Sequence, residues 1–246
     1  MIKKLIIIDW GGVTHRAIFA YRNNQQVPFT YTMLRMIIGY LKKIGTDLND
    51  KIVVAEDFGS WRKDVDKEYK AQRKAFRESK EDASWWSEVY KEANSFTDKL
   101  EQSLPWNFVK IYHMEADDVA SCAVRLIDAE EKILITSDAD WEQLCIIPNT
   151  KIFSIHTKKF KIVKNPEKIL LKKIHGDISD NLLTVPKTEA EYEKRKMIVD
   201  LINLPQHIEA IINPIINDLP IKNLYINKVP FRTCQLELKK LYKLEA

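Results

Sequence analysis

Three short, mostly apolar runs, residues 5–8, 52–55 and 133–136, constrain this chain most, because each reads as a strand buried on both faces. Residues 108–112 and 151–155 are further candidate strands. Helical patterns fall between them, at 31–44, 67–79, 83–104, 117–129 and 140–145. Strands alternating with helices predict the α/β class, with a mostly parallel central sheet flanked by helices. On such sheets ligands sit outside the carboxyl ends of the strands. Asp9, Asp57 and Asp138 each fall just past an apolar run, so all three are expected at that edge.

These aspartates belong to a larger set. Asp9, Asp57, Glu115, Asp117, Asp118, Asp138, Asp140, Asp177 and Asp180 occupy five short stretches. Carboxylates gathered at strand ends repel one another unless cations neutralise them, which points to a magnesium-type site. Each stretch alone has a simpler explanation. Glu115-Ala-Asp-Asp118 either caps the helix that follows or ligates a metal. Ser137-Asp-Ala-Asp140 and Gly176-Asp-Ile-Ser-Asp-Asn181 are equally suited to turns, with Gly176 allowing a sharp bend.

The stretch from Ser60 to Lys74 is mixed in charge. On a helix Lys70 would share a face with Arg73 or Lys74, beside Tyr69, which suits a phosphate backbone; a solvated, salt-bridged helix is the alternative. The net charge of +4 over 246 residues is mild. With the clustered acids sequestered, the remaining surface is more basic and fits a polyanionic partner.

Other chemistries are excluded by spacing. The five histidines and three cysteines have no zinc-ligand or disulfide pattern, and no Gly-rich phosphate loop is present. Asp9 interrupts the first apolar run too early for a signal peptide, and no run approaches bilayer length. A cytoplasmic protein without membrane association is expected. From about residue 187 the composition shifts to Asn, Ile, Leu and Lys with scattered prolines. Helical patterns at 188–201, 206–216 and 232–242 predict a helical region, 186–246, packed on a main domain, 1–185.

Taken in order, these stretches resemble the 5′-nuclease family of flap endonucleases and 5′→3′ exonucleases. The pieces are the strand ending in Asp9, Asp57 with Trp61-Arg-Lys and Tyr69-Lys-Ala-Gln-Arg73, and the three acidic motifs. Trp61-Arg-Lys-Asp64 and the segment 188–205 are most similar to the ribonuclease H branch of T-even bacteriophages. The resemblance implies a PIN-like fold and a Mg²⁺-dependent nuclease that removes RNA primers or 5′ flaps during DNA replication. It implies two ions, with Mn²⁺ able to substitute. Asp9, Asp57, Glu115, Asp117 and Asp118 would serve the first, and Asp138, Asp140, Asp177 and Asp180 the second. Lys70 and Arg73 would act on the phosphate, with Arg62 and Lys74 as backbone contacts. Implied partners are DNA and RNA–DNA duplexes with 5′ ends or flaps, and a single-strand-binding protein or sliding clamp. The protein would be a monomer, in infected host cytoplasm if phage-encoded. One departure stands out: Leu182-Leu-Thr-Val-Pro-Lys187 follows Asn181 without the Gly-rich helix–hairpin–helix usual there. A PIN-type endoribonuclease and a non-catalytic DNA-structure-binding module are the competing readings.

Overall fold

The computed structural model describes residues 2–72 and 83–244. Its centre is a six-stranded sheet in the order β3-β2-β1-β4-β5-β6. The strands are β1 (Ile2–Asp9), β2 (Lys51–Glu56), β3 (Asn107–Lys110), β4 (Ala129–Thr136), β5 (Thr150–Ser154) and β6 (Phe160–Lys161). The first five are parallel, and β6 returns antiparallel to β5. The chain winds outward from β1 to β3 and then crosses back to β4 on the other side of β1. The switch point therefore lies between β1 and β4, where a ligand crevice is expected.

Alternation along β1 explains its wholly apolar run. Ile6 and Ile8 enter a core that includes Met33, Ile37 and Leu41, while Leu5 and Ile7 enter a second core with Val119, Ala123 and Ile212. Both faces are thus covered by helices. On the first face lie α1 (Trp10–Asn23), α2 (Phe29–Ile44) and α4 (Ala83–Glu101). In α2 the buried residues recur at helical spacing, and Gly45 ends the helix in the left-handed region (φ 72°) that favours glycine. The short α3 (Arg62–Val65) follows β2, and α5 (Ala116–Leu126) covers the second face.

The expected helix at 67–79 is altered at its start: Lys67–Lys70 form turns, and most of the remaining range lies outside the described residues. Helix α1 answers to no expected element. Gly11 and Gly12 each lower helix propensity by about 1 kcal/mol. Burial of Trp10, Val13, Ala17 and Ile18 and a cap from Asp9 override that cost. Also unexpected is α6 (Pro166–His175), which delivers the last acidic loop.

Of the C-terminal helices, α7 (Glu189–Val199) packs Ile198 and Val199 in a small separate core with Tyr69, Ile174 and Leu182, while α8 (Gln206–Asn217) and α9 (Arg232–Leu241) join the two sheet cores. Ile208, Ile212 and Ile216 pack beneath α5, and Cys234 and Leu238 join the core of α2. Among the described residues no helix is long and apolar enough to cross a membrane.

Candidate metal centre and nucleic-acid groove

Four carboxylates converge at the switch point. Asp9, the last residue of β1, accepts from the Gly12 N–H at 2.8 Å and from the Thr136 hydroxyl at 2.7 Å. Asp57 follows β2, and its Oδ1 accepts from the Ala116 N–H at 2.8 Å. A Cβ at position 11 would lie 3.3 Å from Asp57 Oδ2 and 3.6 Å from Asp9 Oδ1, so glycine keeps the space between the two carboxylates open. Asp117 accepts from the Trp141 indole at 2.6 Å. Asp138, two residues past β4, accepts from the Asp140 N–H at 2.9 Å. All four line one open cavity of about 920 Å³, and Lys70 stands on its wall.

Their electrostatics agree with their position. Burial pushes the Asp9 carboxyl up to about 6, with Asp138 and Asp57 adding repulsion against the two hydrogen bonds. Asp57 is raised by burial, and Asp117 is held well above the ordinary range by burial and by Asp138. Among the described residues no Lys, Arg or His forms an ion pair with any of these four. Lys70 offsets part of the charge on Asp57 and Asp117 from a distance, but strand-end acids that repel one another without a direct ion-pair partner fit a divalent cation.

Glu115 and Asp118 are differently placed. Arg62 is 1% exposed, and its guanidinium meets Asp118 at 2.7 and 3.1 Å and Glu115 at 2.9 Å. Its Nε donates to the Ile198 carbonyl at 2.7 Å. Asp118 is fully buried, also accepts from the Trp61 indole, and completes a capping box with Glu115. Asp118 therefore anchors Arg62 and has no face for a metal. The backbone-contact role expected of Arg62 is likewise corrected: its guanidinium is buried and turned to Glu115, Asp118 and Ile198 inside the protein. Glu115 also accepts from the Tyr69 hydroxyl at 3.0 Å and from Lys70 at 2.7 Å. Burial alone would raise Glu115, but Arg62 and Lys70 outweigh it and hold the carboxyl below its usual range.

The third region is the loop after α6. Oxygens of Asp140, Asp177 and Asp180 lie within 4.8 Å of one another, the one such acidic trio among the described residues. The Lys173 ammonium is in their midst, paired with Asp140 and Asp177 and 3.9 Å from Asp180 Oδ2. Asp138, assigned by resemblance to this second group, instead faces the first cavity. The loop is stitched to the segment around Lys70. The Lys70 N–H bonds the Asp180 carbonyl, Gln72 donates to Ile178 and Ser179, and Asn181 donates to the Glu68 carbonyl. Lys70 itself sits at φ 53°, a left-handed conformation that costs a non-glycine residue roughly 1 kcal/mol. The bend expected of Gly176 is absent, since its φ of 161° is extended backbone open to any residue. Arg73 and Lys74 lie outside the described residues.

The cavity continues past the acids along α1 to Arg16, Phe19, His156 and Lys158. Arg16 Nη1 and His156 Nδ1 are 2.7 Å apart. Sequence reasoning missed Arg16 because Gly11-Gly12 hid the helix, and His156 and Lys158 because they lie in the connection after β5, which carries no pattern. Read as helical, Arg16 lies seven residues beyond Asp9, on the same face. It also missed Lys173, although Lys173 and Asp177 stand at the i, i+4 spacing of a helical ion pair.

Comparisons with known proteins give the family and the fold. The family model of the 5'-3' exonuclease N-terminal resolvase-like domain matches residues 4–174. Ribonuclease H of Enterobacteria phage T4 is 32% identical over 164 residues, which is 63% of this chain and 53% of that protein. A 5'-3' exonuclease of Mycoplasmopsis pulmonis is 30% identical over 196 residues, 73% of this chain and 61% of that protein. The chain thus spans a little over half the length of these curated relatives. Among solved structures, the T5 D15 protein co-crystallised with metal ions aligns with a TM-score of 0.63 at 17% identity, covering 97% of this chain and 98% of that one. The bacteriophage T5 D15 flap endonuclease in a complex with DNA and metal ions aligns equally well, at 19% identity. These two likenesses establish the fold.

Proposed function

The chain belongs to the 5'-3' exonuclease family through its N-terminal resolvase-like domain, and from that membership we propose that it is a metal-dependent 5′ nuclease. The observation that carries the reading is the set of four strand-end carboxylates, with no ion-pair partner among the described residues, on the floor of a groove with cationic walls. Mg²⁺ is the proposed ion, with Mn²⁺ able to substitute, because oxygen-only donors suit hard cations. Asp9, Asp57, Asp117 and Asp138 would hold it. Held there, a divalent ion would supply Lewis-acid polarisation of a phosphodiester and a more acidic bound water.

The protein's own groups supply orientation and charge. Gly12 and Thr136 fix Asp9, Ala116 fixes Asp57, and Trp141 fixes Asp117. Lys70, held by Glu115, presents an ammonium to charge developing on the phosphate. Arg73 is proposed beside it, and Lys74 as a backbone contact. Arg16 and Lys158 would grip the strand where the cavity runs on. A second ion would have to share the Asp140–Asp177–Asp180 group with Lys173.

The proposed substrates are DNA and RNA–DNA duplexes with 5′ ends or flaps, cut during primer removal by a monomer in the cytoplasm. A clamp or single-strand-binding protein is the candidate partner. Residues 1–185 would carry the chemistry, while 186–246 brace it, as the Arg62–Ile198 bond illustrates. The test uses 5′-labelled flap, nicked, gapped and RNA-primed duplexes with Mg²⁺, comparing the wild type with Asp138→Asn. Release of short 5′ products only by the wild type is expected. Equal activity of the two proteins would sink the reading.

A further inference from the structure

The place where a second divalent ion is expected already contains a positive charge. Lys173 leaves the last turn of α6, and its side chain is 11% exposed. Its ammonium pairs with Asp140 and Asp177 and stands 3.9 Å from Asp180 Oδ2, while Lys70 approaches Asp180 Oδ1 at 3.8 Å. The ammonium donates to Asp177 and meets Asp140 directly, and its charge reaches Asp180 across 3.9 Å. Its position at a helix C-terminus is also favoured by the helix dipole. A divalent ion ligated by these oxygens would need the same few ångströms of space. The strand-end pocket offers the contrast: Asp9, Asp57, Asp117 and Asp138 face a cavity, and no ion pair reaches them from the described residues.

Resting on the metal-dependent reading of that pocket, we propose that Lys173 is a tethered cation taking the place of a divalent ion in the Asp140–Asp177–Asp180 group. The chain then binds divalent ions at the strand-end pocket and none within this trio. Lys173 has a second consequence for that pocket. By tying Asp140 to α6 it fixes the 3₁₀ turn (Asp140–Ile146) whose first N–H holds the Asp138 carboxylate. Lys173 is thus a positioning residue as well as a counter-charge.

The test counts bound Mn²⁺ on the full chain by the loss of the free-ion electron paramagnetic resonance signal. Wild type, Lys173→Met, Asp177→Asn and Asp138→Asn are compared, with circular dichroism to check folding. The expected result is one additional ion in Lys173→Met and an unchanged count in Asp177→Asn. One ion fewer in Asp177→Asn, or no gain in a folded Lys173→Met, overturns the proposal. If Lys173→Met does not fold, the Asp177→Asn count decides alone. Loss of ions in Asp138→Asn supports the strand-end pocket separately. A wild type that binds no Mn²⁺ overturns the metal-dependent reading together with this one.

Discussion

The acids at the strand ends and the acids around α3 and α6 are the same residue types with opposite surroundings. Asp9, Asp57, Asp117 and Asp138 meet hydrogen-bond donors but no ion-pair partner among the described residues, whereas Glu115 and Asp118 face Arg62, and Asp140 and Asp177 face Lys173. Burial raises Asp57 and Asp117, and Asp9 to about 6. In the second, Glu115 and Asp177 are lowered against burial by their cations. Asp140 marks the boundary: burial and Asp138 push it up to about 7 even though Lys173 pulls the other way. Counter-charge from the chain therefore separates acids that hold the fold from acids kept for a ligand.

The largest effect should come from removing a built-in cation. Arg62→Met leaves Asp118 and Glu115 buried beside an apolar side chain, and breaking a buried pair in this way costs about 3–5 kcal/mol. Denaturant unfolding should show that loss. A fall under 1 kcal/mol would mean that the Arg62 network is not what stabilises this corner, and the division drawn here would blur.

Neutralising a strand-end acid should do the reverse. Asp9→Asn is expected to lower nuclease activity by about a hundredfold or more, because preorganised electrostatics dominate such sites. It should not lower the melting temperature of the metal-free protein, since a raised carboxyl is one whose charged form the fold disfavours. A melting temperature several degrees lower would show that Asp9 is structural.

The pH dependence sharpens the same contrast. Asp9 at about 6, Glu56 at about 7 and Asp140 at about 7 all lie above their unfolded values. In the folded protein these groups bind more protons than in the unfolded chain between the two pKa values, so their contribution falls as pH rises through that window. Glu115 and Asp177 have the opposite sign, and their contribution is lost only below their ordinary range. The metal-free protein should therefore melt at progressively lower temperature from about pH 5 to about pH 8. Saturating Mg²⁺ should flatten the decline. A flat metal-free profile would contradict the raised values.

How much of this was legible beforehand depends on the physics at each position. The strands were readable because two-sided burial makes 5–8, 52–55 and 133–136 nearly continuous apolar runs, and the sheet edge then placed Asp9, Asp57 and Asp138 together. Helix α1 was hidden, because tertiary burial of Trp10 and Ile18 overrides the two glycines. The acids themselves carried no mark of role. Asp117 and Asp118 are neighbours in sequence, yet one faces the cavity and the other is fully enclosed by Arg62, Trp61 and its own helix cap. A shift of one residue on a helix turns a side chain through about 100°, and only the packed partner, distant in sequence, decides which acid is spent on the fold.

The smallest expected effects lie where the cavity runs beyond the acids. Arg16 and Lys158 line that end, and neither is paired to a carboxylate by the described residues. If they track phosphates, Arg16→Ala and Lys158→Ala should weaken duplex binding uniformly across sequences. Each should reduce the slope of log K against log salt by about 1. Cleavage at saturating substrate should change little, because these groups stand away from the strand-end carboxylates. Binding curves at several salt concentrations separate the two outcomes. An unchanged slope would mean that the strand leaves the acids along another wall of the groove, and Lys70 with the residues after it would then be the side to follow.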